Sequence, residues 1–212
     1  MSYIQGVERG QQQLLPASVE EYVAENAPVR FIDAFVGRLD VRQLGFERPQ
    51  PAGTGRPGYD PRSLLKLYLY GYLNRVRSSR RLEAESVRNL EVIWLLGGLR
   101  PDFKTIADFR KDHRECFKGV FREFNLLCRK LALFGAELVA IDGAKFKAVN
   151  SPKRHYTKAK LEEMIRQIDE RIETYLGQVE AEDTLLADLP ERPTAEELKA
   201  KIQTLGERRA EY

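Results

Sequence analysis

The stretch DPRSLLKLYLYGYLNRV, residues 60–76, decides the fold class of this chain. Asp60 followed by Pro61 is an N-cap and N1 pair, since a carboxylate can accept the first free backbone N–H groups and proline lacks the donor that a first turn leaves unused. Beyond it Leu64, Leu65, Leu67, Tyr68, Leu69, Tyr72 and Leu73 leave little polar face. A helix apolar nearly all round must be covered on all sides, which predicts a central helix of an all-α bundle running to Val76.

Upstream, Ser18 with Glu21 forms a capping box that opens VEEYVAEN, a short helix expected to be closed by Pro28. The apolar segment VRFIDAFVGRL follows, and PQPAGTGRPG, residues 49–58, has the Gly and Pro density of a loop. Downstream, Ser79 is placed to cap SRRLEAESVRNL, and EVIWLLGG closes on Gly97 and Gly98. Pro101 and Asp102 read as a turn, with Thr105 capping TIADFRKDH ahead of an amphipathic run from Glu115 to Phe134.

At Glu137 the pattern changes. ELVAID and AKFKAV are short β-rich runs around Asp142-Gly143 and predict two strands. Helix returns at Thr157, where Leu161, Ile165, Ile168, Ile172, Tyr175 and Val179 follow heptad-like spacing. After DLPERP, Thr194 and Glu197 form another capping box and Leu198, Ile202 and Leu205 continue the stripe. The expectation is a helical hairpin, 157–182 against 194–212, that still reads as helix at Tyr212. The predicted fold is therefore mainly α: a helical N-terminal segment and loop (1–54), a helical domain (55–135), a short β-hairpin (136–156) and a C-terminal helical hairpin (157–212).

Charge is distributed unevenly. Residues 56–114 carry 13 basic and 7 acidic side chains, and 115–157 carry 8 and 4, whereas 158–212 carry 9 and 14. A basic middle suggests a polyanion-facing region joined to an acidic segment of other purpose. Two basic clusters stand out: Arg75, Arg77, Arg80 and Arg81, then Lys145, Lys147, Lys153 and Arg154. Either can neutralise phosphates, the arginines through a planar two-donor fork. The alternative is solvated charge, with Arg80 and Arg81 pairing with Glu83 or Glu85 on one helix.

Other classes find no support. No apolar run approaches the roughly 20 residues of a membrane span, and MSYIQGVERGQQQLLP lacks a secretory pattern, so the cytoplasm is the expected compartment. Cys116 and Cys128 have neither CxxC nor disulfide-framework spacing and are expected to be reduced core thiols. His113 and His155 are isolated, no zinc-ligand spacing occurs, and no phosphate-binding GxxxxGK[ST] loop is present. Tyr68, Tyr72 and Trp94 suit core positions better than base-stacking ones.

GRPGYDPRSLLKLYLYGYLNRVRSSRRLE and IWLLGGLRPDFKTIADFRKDH resemble the N-terminal region of bacterial insertion-sequence DDE transposases. The ordered elements include Gly55-Arg56-Pro57, Tyr59, Pro61, Ser79-Arg80, Glu83, Trp94-Leu95, Pro101-Asp102, Thr105-Ile106 and Phe109-Arg110. VAIDGAKFKA matches the family's first catalytic motif at Asp142. The resemblance covers residues 55–150 and implies an RNase H-like domain beginning at 136–156, binding of DNA at terminal inverted repeats, and Mg²⁺-dependent strand cleavage and transfer. It makes Asp142 both a catalytic residue and a metal ligand, where pattern alone reads Asp-Gly as a hairpin turn.

The second aspartate and the glutamate of that motif are expected beyond Tyr212, and 157–212 resembles an insertion found in some members. The resemblance thus implies a transposase fragment, nucleoid-associated, that binds element ends and is inactive alone. Two further readings are a non-catalytic regulatory DNA-binding product that co-assembles with full-length transposase, and a module whose helical hairpin forms a homodimer.

Overall fold

Asp60 accepts the Arg62 backbone N–H at 2.9 Å and Pro61 opens the central helix, as the sequence leads one to expect. The structure, a computed structural model, describes residues 18–46, 58–131 and 158–186. Among them every regular element is helical: a 3-10 turn (Val19–Tyr22), then α1 (Pro28–Arg38), α2 (Pro61–Leu73), α3 (Ser79–Arg88), α4 (Leu90–Leu95), α5 (Phe103–Asp112), α6 (Arg114–Lys130) and α7 (Lys158–Leu185). The expected loop at 49–58 is described only at Gly58; the hairpin at 136–156 and the helical arm at 194–212 lie outside the described residues.

Several boundaries differ from expectation for local reasons. The Ser18 backbone N–H donates to Glu21 as a capping box requires, but only one 3-10 turn follows. Pro28 begins α1 instead of ending a helix, because its missing N–H costs nothing at N1. α2 stops at Leu73 because Arg75 turns left-handed, at φ +57°, and the Val76 N–H returns to the Gly71 carbonyl. Asp102, not Thr105, caps α5: its carboxylate accepts the Thr105 N–H at 2.8 Å and hydroxyl at 2.7 Å. The paired glycines behave as read, Gly97 and Gly98 both having positive φ while the Gly98 N–H closes on the Ile93 carbonyl.

α2 packs against α1, α3 and α4, α3 lies on α5, and α6 lies on α7. One core joins all three described stretches, running from Ile32 and Phe35 of α1 through Leu65, Leu67 and Tyr68 of α2 to Phe117, Phe121 and Phe124 of α6. From α7 come Ile168, Ile172, Leu176 and Val179. The heptad stripe is thus buried within the chain against α6 and α3, and Leu161 at its start stays exposed. Tyr68 and Trp94 are core or core-facing, and both cysteines are free thiols, with burial pushing that of Cys128 up to about 12.

The approach of α7 to α2 is close. A Cβ at Gly71 would lie 2.7 Å from the Tyr175 hydroxyl and 2.8 Å from Leu82 Cδ2. The Tyr175 hydroxyl donates to the Val76 carbonyl at 3.1 Å, just past the end of α2. That contact pins the turn 74–78, which carries two of the four arginines singled out above.

Candidate nucleic-acid interface

The four arginines surround the α2–α3 turn. Arg75 occupies the position after the α2 C-cap where glycine is usual, since a Cβ in the left-handed region costs about 1–2 kcal/mol. Its side chain is exposed, and neither it nor Arg77 pairs with a carboxylate among the described residues. Both sit beyond the C-terminal end of α2, where exposed carbonyls favour a cation.

Arg80 and Arg81 are committed to neighbouring helices. The Arg80 guanidinium stacks over Phe103 of α5 at 4.1 Å from the ring centroid, and Arg81 reaches Glu182 of α7 at 3.1 Å. The expected partner Glu85 is taken by Arg88 at 2.5 Å and also accepts from Tyr70 and Asn89. Burial pushes the Glu85 carboxyl up, but the hydrogen bonds from Arg88, Asn89 and Tyr70 outweigh it and hold it below the ordinary range. Lys145, Lys147, Lys153, Arg154 and Asp142 lie outside the described residues.

Beneath the turn is a charged knot. Arg110 is 2% exposed and donates to Asp183 of α7 at 2.8 Å. Asp183 also accepts the Ser79 backbone N–H and hydroxyl, each at 2.7 Å, so it caps α3 from 104 residues away. Ser78, the N-cap of α3, makes no side-chain cap, and its buried hydroxyl has no partner. Arg110 belongs to the Phe109-Arg110 pair noted in the sequence, yet its structural role was missed there. The signal was present: Ile106, Phe109 and Arg110 share one helical face, so an arginine on that stripe had to be buried and paired.

The acidic α7 meets basic α6 along its length. Arg114 pairs with Glu180 at 2.5 Å, Lys118 with Glu173 at 2.7 Å, and Arg122 donates twice to Asp169 at 2.8 and 2.7 Å. The basic side chains Arg114, Lys118 and Arg122 of α6 are thereby paired with α7. Among the described residues, no group of three or more His, Cys, Asp or Glu converges to hold a metal, and no helix is long and apolar enough to cross a membrane.

Residues 17–112, from just before the 3-10 turn to the end of α5, match the family model described as Transposase domain (DUF772). No curated protein and no solved structure matches it. Arg75, Arg77, Arg80, Arg81 and Arg110 all fall inside the matched segment, whereas α6 and α7 lie outside it.

Proposed function

We propose that this chain serves transposition of an insertion sequence by binding element DNA, with Arg75 and Arg77 contacting backbone phosphates. The observation that carries the reading is Arg75: an exposed guanidinium with no ion pair among the described residues, held in a conformation that glycine would adopt at lower cost. A cation presented at such a turn is placed to meet an anionic partner. A phosphate fits, because the guanidinium fork donates two parallel hydrogen bonds and each neutralised phosphate releases condensed counterions. Arg80 and Arg81 brace the same turn through Phe103 and Glu182 and keep the two free arginines in register.

The same reading assigns metal-dependent strand cleavage and transfer to an acidic site that includes Asp142. Mg²⁺ suits carboxylate oxygens such as those of Asp142. Lys145, Lys147, Lys153 and Arg154 would extend the DNA contact beyond Asp142.

The test is fluorescence anisotropy of residues 1–212 with a labelled 30-bp duplex across a salt titration. Affinity should fall linearly in log–log form, and Arg75→Gln with Arg77→Gln should reduce the slope by about 1.8, at roughly 0.9 per phosphate contact. A wild-type chain with no affinity for duplex DNA at about 50 mM salt would overturn the reading.

A further inference from the structure

At the other end of α2 lies a concavity of about 350 Å³ lined by Arg38, Arg42 and Arg62, with Phe46 in its wall and Asp40 as its one carboxylate among the described residues. Arg38 ends α1, Arg42 follows in the turn to Phe46, and Arg62 stands in the first turn of α2. None of the three forms an ion pair among the described residues, and the Arg62 Nε is buried without a hydrogen-bond partner. Asp40 does not balance them: its Oδ1 accepts the backbone N–H groups of Arg42 and Gln43, at 3.1 and 3.2 Å.

This arrangement is costly for the free chain. Three guanidinium groups around one cavity repel one another, and a cation in the first turn of a helix opposes the positive end of its dipole. α2 has no acidic residue within its first turn, and Asp60, its N-cap, is engaged by the Arg62 backbone N–H at 2.9 Å. A buried donor left unmatched adds a desolvation penalty. An anion with several acceptor oxygens removes all three costs at once.

We infer that the Arg38–Arg42–Arg62 cavity receives a backbone phosphate of duplex DNA, as a second contact separate from the Arg75–Arg77 turn. The inference rests on the DNA-binding reading above. Duplex DNA is favoured over a free phosphate by spacing. The 13 residues of α2 separate the two sites by about 20 Å at 1.5 Å per residue, and one duplex, whose phosphates recur every 3.4 Å of axis along each strand, offers phosphates to both. A duplex reaches both ends of α2; a small anion satisfies only one.

The experiment uses the full chain, the same 30-bp duplex and three variant sets: R38Q/R42Q/R62Q, R75Q/R77Q, and the charge-matched R100Q/K160Q/R171Q. The cavity set should lower the log–log salt slope by about 0.9, the value for one phosphate contact, and weaken binding at least tenfold at fixed salt, while the charge-matched set leaves the slope unchanged. Inorganic phosphate at millimolar concentration should raise the melting temperature of the wild type and not of the cavity set. Should the triple glutamine variant fail to fold, R42E alone, in a turn, carries the test and should lower the slope by about 0.9 as well. An unchanged slope in the cavity set, or an equal loss in the charge-matched set, overturns the inference and leaves the DNA-binding reading standing. A wild type that binds no DNA overturns both.

Discussion

Arg75 concentrates the conflict between stability and binding in one residue. Its left-handed backbone costs about 1–2 kcal/mol relative to glycine, and glycine recovers less than that because it loses more backbone entropy on folding. Arg75→Gly should therefore raise the unfolding free energy by about 0.5–1 kcal/mol, read from the urea midpoint at constant slope. The same variant should lose about 0.9 of the salt slope for DNA. A variant less stable than wild type, with DNA affinity untouched, would show that the side chain serves the turn and not the ligand. Arg110 is the opposite case, a cation whose full burial beside Asp183 leaves it no role at the surface. The clustering of arginines near residue 77 could be read along the chain; which of them were spoken for could not, because Phe103 and Glu182 come from other helices.

At the scale of elements, local signals gave helix starts well where the capping group is close in sequence. Asp60 before α2 and the glycines after α4 are examples. The cap of α3 was invisible because Asp183 supplies it through the tertiary fold, and Pro28 was misplaced because proline marks a helix start as readily as a stop. The acidic balance of the C-terminal stretch was legible, and its partner turns out to be α6. Lys118 and then Arg114 hold the Glu173 carboxyl below the usual range, and Arg114 does the same for Glu180. A carboxylate with a depressed folded value contributes stability that is present above the ordinary glutamate value and lost as pH falls through the folded one. The α6–α7 contact should thus weaken as pH drops from about 4.5 downward, by a modest amount, since these pairs are partly exposed and worth about 0–1 kcal/mol each. Urea midpoints at about pH 6 and 3.5 should differ less in E173Q/E180Q than in wild type. An identical pH difference in the two proteins would assign the acid sensitivity to other groups.

For the molecule as a whole, the segments that sequence pattern divides at 54 and 135 share one interior among the described residues. Phe35 of α1 meets Phe124 of α6 at 5.2 Å between centroids, and Tyr72 of α2 meets Tyr175 of α7 at 5.4 Å. The composition shifts that mark those divisions record loops and charge, not separate cores. A shared core predicts a single cooperative transition. Trp94, the one tryptophan, reports the N-terminal side, where Arg30 stacks on it and Glu20 accepts its indole N–H. Its fluorescence and the helical circular dichroism should therefore give the same urea midpoint. Asp183→Ala should move both together, by about 3–5 kcal/mol, because it strands the buried Arg110 and uncaps α3 in one step. The coupling is specific: Trp94 makes no contact with Asp183, so its midpoint can follow that substitution only if α7 and the N-terminal helices unfold as one body. A dichroism midpoint that falls while the Trp94 midpoint stays fixed would mean that α7 detaches alone and that the N-terminal helices keep their fold without it.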